Sequence, residues 1–205
     1  VGREIAIRCA KDNATLVLVS RSDERPSHQA LYGCLKDTKH IIESTYSTKV
    51  HLLPIDLAND DIHHRIETLN LSSVDCIINN ASAIHVEKVP TSKQYDTMMN
   101  LNVRGTMNTI RALYPLLQAS SVQHVLSISP PLHTLNTRWL HPHPAYTASK
   151  YAMSMITLGY SDVFRANTVW PKKLLKTAAT KMLEDKTGIA GYSQGLPPEA
   201  FADTI

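Results

Sequence analysis

Short apolar runs rich in Val, Ile and Leu alternate along the chain with longer segments whose apolar residues recur at helical spacing, and this alternation predicts a parallel sheet with helices on both faces. The runs at 15–20, 50–56, 74–79, 122–127 and, more weakly, 166–170 are nearly continuous, as strands covered on both faces are. Helices are predicted between them at 2–12, 29–44, 60–69, 92–119 and 145–164. The fold class is therefore α/β, a doubly wound parallel sheet, read as one domain over residues 1–205 without repeats or low-complexity tracts.

Both ends of the pattern are unusual. The chain opens on a helix (Arg3, Glu4, Ile5, Ile7) rather than on a strand, and closes on Pro197, Pro198 and Glu199, which start a further helix. A doubly wound sheet without a strand before its first helix has a gap in its middle. Only 7 glycines are present, about 3% where about 7% is usual. The expectation is a domain truncated at both ends.

Composition narrows the function classes. The 21 Lys and Arg against 18 Asp and Glu give a formal charge of +3, too weak a basic balance to argue for nucleic acid. No stretch approaches the roughly 18–20 apolar residues a bilayer-spanning helix needs. Cys9, Cys34 and Cys76 form no Cys-x-x-Cys pair and read as reduced, small, buried apolar groups. His63 and His64 are consecutive on a predicted helix and diverge, while His141 and His143 flank Pro142 with no acidic partner nearby, so no metal site is predicted.

The sharpest chemical signal is Tyr146-Thr147-Ala148-Ser149-Lys150 inside a predicted helix. A spacing of four puts phenol and ammonium on one helix face. A positive charge there favours tyrosinate and is expected to pull the phenol below its usual pKa near 10, making an acid/base couple. Alone, the pair is commonplace on helix surfaces. It is joined, however, by Asn79-Asn80-Ala81 at the end of a predicted strand, where open parallel sheets bind ligands. Asn102 sits within a predicted helix, a poor place for Asn. Asp56 ends another strand, and Pro171 follows the last strand with Thr177 downstream.

In these elements the chain resembles the short-chain dehydrogenase/reductase family over essentially its whole length. In Met98 to Thr106, Ile128-Ser129-Pro130-Pro131, Ala145 to Met155 and Trp170-Pro171-Lys172 it is similar to the hydroxysteroid dehydrogenase-like branch. The resemblance implies a Rossmann-like fold in which Tyr146 exchanges a proton with an alcohol or ketone oxygen while hydride passes to or from a nicotinamide. Lys150 then lowers the Tyr146 pKa and holds the nicotinamide ribose, and Asn102 anchors a water leading from Lys150 to solvent. Gly2, Asp56, Asn79, Ala81, Pro171 and Thr177 line the cofactor. It further implies a lipid-like substrate, a homo-oligomer through the helices at 92–119 and 145–164, and a peroxisomal or mitochondrial location.

Cofactor choice follows from the end of the first predicted strand, Val19-Ser20-Arg21, where Ser20 stands at the usual position of an acid and Arg21 offers a fork suited to a 2′-phosphate. NADP is favoured. Asp23 is the competing feature, able to serve NAD if its loop folds back.

Four departures qualify this reading. The glycine-rich turn survives only as Gly2, removing backbone donors for the pyrophosphate. The family's catalytic Ser falls on Pro130, which has neither hydroxyl nor N–H, so Tyr146 and Lys150 suffice or His133 or Asn136 substitutes. The span from Asp56 to Asp75 is short by about one helical turn. Finally, the six residues between Phe164 and Pro171 look too few for both a turn and a strand. Two other readings therefore stand beside the NADP-dependent enzyme: a Rossmann-like binding protein with little or no activity, and a general carbonyl reductase that prefers NAD.

Overall fold

In the computed structural model, residues 1–26, 33–59, 61–134, 140–141, 143–188 and 191–205 are described. Along them run α1 (Gly2–Lys11), β1 (Leu16–Ser20), α2 (Leu35–Thr45), β2 (Val50–Pro54), α3 (Ile62–Glu67), β3 (Cys76–Asn79) and α4 (Ser92–Met98). A π-helical turn (Met99–Gly105) leads into α5 (Thr106–Gln118), then β4 (His124–Ile128) and a 3-10 turn (Leu132–Thr134). The chain continues through α6 (Pro144–Leu158), β5 (Arg165–Val169), α7 (Ala178–Thr187) and α8 (Pro198–Ala202). It divides into two compact units, residues 1–55 with 171–205, and residues 56–170.

In the first unit β1 and β2 pair in parallel from Leu16↔Val50 to Ser20↔Pro54. Ala6 and Ala10 of α1 and Ile42 of α2 bury themselves with Val50 to form its core. Here α7, which the apolar pattern did not announce, starts on Thr177, whose Oγ accepts the Thr180 N–H at 3.1 Å. It stops at Gly188, whose φ of +66° is the left-handed cap that glycine adopts without strain. The helix predicted from Pro198 is present as α8.

In the second unit the sheet order is β3-β4-β5, all parallel. Ile77, Val125 and Phe164 pack with Ile110 and Leu117 of α5. The five predicted strands thus all form, each within two residues of its predicted ends, and among the described residues no strand joins β1 or β2 to β3-β4-β5.

Four expectations are corrected. The helix predicted at 145–164 ends at Leu158, and residues 159–164 make the turn into β5. The cause is aromatic anchoring: Phe164, 4% exposed, meets Tyr114 edge-on at 5.0 Å and stacks with Tyr160 at 6.3 Å, which draws the chain off the helix axis. The six residues before Pro171 are therefore enough for a full five-residue β5 paired with β4. The helix predicted at 92–119 is interrupted by the π turn. Finally, the cysteines are free but not all buried: Cys76, at the first position of β3, is exposed, and Cys9 and Cys34 are half-buried. The predicted start of α2 at residue 29 lies outside the described residues.

Candidate active site

The face of β3 and β4 that meets α6 changes character along its length. At its amino end it presents Ile77 and Val125; two residues on, the same face presents Asn79 and Ser127, opposite one another in the register. Neither polar side chain is left unpaired. Asn79 Nδ2 donates to Ser127 Oγ at 3.1 Å, Ser127 Oγ lies 2.6 Å from Thr157 Oγ1, and Thr157 donates to the Met153 carbonyl at 2.9 Å. Each hydroxyl has one hydrogen to give, so the chain runs Asn79 to Ser127 to Thr157 to backbone.

On α6, Tyr146, Lys150 and Ser154 succeed one another at intervals of four and share a helix face. Pro144, with its fixed φ, opens the helix at its first position. Lys150 is 4% exposed, and its hydrogen-bond partner among the described residues is the thioether of Met153, 3.3 Å from Nζ. No carboxylate lies within ion-pairing distance of it among the described residues. Burial without a counter-ion penalises the ammonium and pushes its pKa down to about 8. Tyr146 is partly buried, and burial raises its pKa while a hydrogen bond with the Ser82 side chain works the other way. The downward shift expected from the Tyr146/Lys150 spacing is thus reversed, because desolvation outweighs every favourable contact. The phenol is protonated at neutral pH.

Asn102 lies in the π turn, fully buried. Its Oδ1 accepts the Ala83 N–H at 2.7 Å, and its Nδ2 donates to the Ala83 carbonyl at 2.9 Å and to Ser149 Oγ at 2.8 Å. Ser149 in turn donates to the Tyr146 carbonyl at 2.7 Å. One amide therefore ties the loop after β3 to the first turn of α6, which explains a polar residue in an otherwise apolar helix. The π turn, a device frequent at functional sites, places it there. Asn102→Ala leaves the Ala83 N–H and C=O without their partners, and its expected effect is a loss of about 3 kcal/mol of stability, measured by urea unfolding at pH 7.

Beyond β4, the Ser129 N–H donates to the Val169 carbonyl at 3.0 Å, extending the ladder to the residue before Pro130. Ser154 Oγ hydrogen-bonds the Pro130 carbonyl and lies 2.9 Å from Ser129 Oγ. Ser129 and Ser154 are both fully buried. Where the resemblance implies a hydroxyl, this chain has a ring clamped through its carbonyl, and the flanking hydroxyls are engaged with each other.

Of the other sequence-derived candidates, Gly2 begins α1 and Arg21 is exposed just after β1. Asp56 caps a turn, accepting the Ala58 N–H at 3.0 Å and Asn59 Nδ2 at 3.1 Å. Ala81 and Pro171 are half-buried in loops following β3 and β5. The Thr177 hydroxyl serves as the cap of α7. Gly2, Arg21, Pro171 and Thr177 belong to the first unit; Asp56, Asn79, Ala81, Asn102, Tyr146 and Lys150 belong to the second. His133 is exposed, Asn136 lies outside the described residues, and among the described residues no His, Cys, Asp and Glu cluster into a metal site. The reading of the sequence placed His143 only within a loop, 133–143, expected to line the substrate side, and missed Ser82, Ser149 and Ser154. Ser149 and Ser154 share α6 with Tyr146, and their spacing from it was the available signal.

Fold and helix pair are matched by the family comparison: the model described as short chain dehydrogenase covers residues 1–170. The chain belongs to the short-chain dehydrogenase family. It is 37% identical over 193 residues to hydroxysteroid dehydrogenase-like protein 2 of Mus musculus, covering 89% of this chain and 38% of that protein. The chain thus spans about two-fifths of that relative's length. Two solved structures share the fold. A short chain dehydrogenase from Mycobacterium paratuberculosis bound to NAD aligns with a TM-score of 0.76 at 20% identity, over 99% of this chain and 84% of that one. A metagenomic short-chain oxidoreductase in complex with NADP aligns with a TM-score of 0.73 at 19% identity, over 99% and 83%.

Proposed function

We propose that this chain is the dinucleotide-dependent part of an oxidoreductase that interconverts an alcohol and a ketone of lipid-like character, with NADP as the cofactor. The observation that carries the reading is Lys150: an ammonium withdrawn from water, one turn from a phenol, with a thioether as its partner. An ammonium has three hydrogens to donate and a thioether is a weak acceptor, so this site fits the ribose hydroxyls of a nicotinamide cofactor. When bound, the nicotinamide supplies or accepts the hydride.

The chain's own residues handle the proton. In the reducing direction Tyr146 gives its phenolic hydrogen to the substrate oxygen, and Lys150 stabilises the tyrosinate left behind; in the oxidising direction the same oxygen takes the proton back. Asn102 and Ser149 hold the start of α6 so that phenol and amine keep their places. The lipid-like substrate class follows the likeness to hydroxysteroid dehydrogenase-like protein 2, and the helices α4, α5 and α6 are the surfaces proposed for self-association.

Cofactor preference rests on Arg21 and on its rival. Asp23 faces Lys36 across 3.9 Å, and its backbone carbonyl accepts the Lys36 N–H at 3.0 Å, so this carboxylate is partnered by a cation. The planar fork of Arg21, just after β1, suits a 2′-phosphate. In full-length protein NADPH is expected to raise Tm more than NADH at equal concentration, by roughly 3–6 °C for a tenfold difference in affinity. Equal shifts in differential scanning fluorimetry would remove the Arg21 argument.

A further inference from the structure

We infer that His143 is a further catalytic residue, the hydrogen-bond partner that holds the substrate's reacting oxygen against Tyr146 in place of the hydroxyl that Pro130 cannot offer. The inference rests on the reading of Tyr146 as the proton donor. His143 caps α6, and its imidazole packs on the Tyr146 ring, centroids 5.5 Å apart with the planes inclined at 38°. Its Nδ1 is buried and has no hydrogen-bond partner among the described residues. Its side chain does no capping; the backbone carbonyl alone accepts the Thr147 N–H at 3.0 Å.

A buried ring nitrogen without a partner is costly, and such groups are rare where no ligand meets them. The neighbouring hydroxyls are already engaged, that of Ser82 with the Tyr146 phenol itself. Ser149 bonds Asn102 and the Tyr146 carbonyl, Ser154 bonds the Pro130 carbonyl, and Ser129 meets Ser154. His143 alone among these neighbours keeps unused capacity beside the phenol. Burial also lowers its pKa, which keeps the ring neutral at pH 7, with one nitrogen donating and the other accepting. A neutral imidazole offers the substrate oxygen an N–H without adding a charge that would compete with Lys150.

The test uses full-length protein with NADPH and acetophenone as the probe ketone. His143→Phe keeps the ring packing and removes the nitrogens; it is expected to lower kcat about 100-fold, the scale found when one donor to a developing oxyanion is lost, with the NADPH-induced rise in Tm unchanged. His143→Gln, which restores an N–H, is expected to recover about tenfold of that loss. In the NADP-loaded wild type, the 15N resonances of the His143 ring are expected to move when acetophenone is added. A His143→Phe kcat within threefold of wild type, a lost NADPH shift in that variant, or ring resonances that stay fixed would each overturn the assignment. If Tyr146→Phe retains turnover it is the Tyr146 reading that falls, and the ring resonances still report on His143 independently.

Discussion

Tyr146→Phe is expected to lower kcat for ketone reduction by about 10³-fold, within the range that a positioned acid or base contributes, while NADPH still raises Tm as it does in the wild type. The substitution removes one oxygen and keeps the ring, so the stacking with His143 persists and α6 is undisturbed. What disappears is the phenolic hydrogen assigned to the substrate oxygen. Burial holds the phenol in its protonated form at neutral pH, and the Ser82 side chain bonded to it favours the anion once the proton has gone. Ser149 and Ser154 cannot stand in, because each hydroxyl already donates to a backbone carbonyl, at Tyr146 and Pro130 respectively. The measurement is NADPH oxidation followed at 340 nm beside a thermal-shift titration. Undiminished turnover in the Phe variant would show that the proton comes from elsewhere; loss of the thermal shift would show that the phenol serves cofactor binding rather than chemistry.

Much of this was legible in the order of residues. Continuous apolar runs gave every strand to within two residues, because a strand covered on both faces has no polar side to confuse its ends. Tyr146 and Lys150 were legible for the opposite reason: their spacing alone fixes a shared helix face. The failures have specific causes. Periodicity ran through residues 159–164 as if helical, since Tyr160, Val163 and Phe164 have apolar spacing, yet only Phe164 is buried, and it is the turn after Leu158 that seats it against Tyr114. Asn102 was singled out as the anchor of a water leading from Lys150, whereas its bonds to the Ala83 backbone and to Ser149 could not be read from sequence. The direction of the Tyr146 shift was misread because charge separation can be guessed from sequence whereas depth of burial cannot. Ser154 was invisible as a site residue until Pro130 was seen to offer it a carbonyl.

The same burial leads to the second large effect. Lys150→Met is expected to abolish turnover and at the same time stabilise the cofactor-free protein at pH 7 by about 3 kcal/mol, roughly 6–10 °C in Tm. The folded-state pKa of about 8 lies below the ordinary lysine value of 10.5, so folding penalises the ammonium. Below pH 8 both folded and unfolded chains carry the proton and the penalty is fully present. Between pH 8 and 10.5 the folded chain sheds the proton while the unfolded chain keeps it, so wild-type stability rises with pH. Above that window the two states agree and the penalty is gone. The methionine variant carries no such charge, and its thioether lies beside Met153 in a site already suited to sulfur. Its advantage is therefore largest at neutral pH and vanishes near pH 10.5, a crossing that a packing change alone would not produce. Urea unfolding of both proteins at pH 7 and pH 10 measures it. A variant less stable than wild type at pH 7 would mean that the amine is satisfied within the fold, and with that the argument for a ribose partner would fail. Stabilisation at neutral pH joined to loss of turnover is the pattern of a residue retained for its ligand against the interest of the fold.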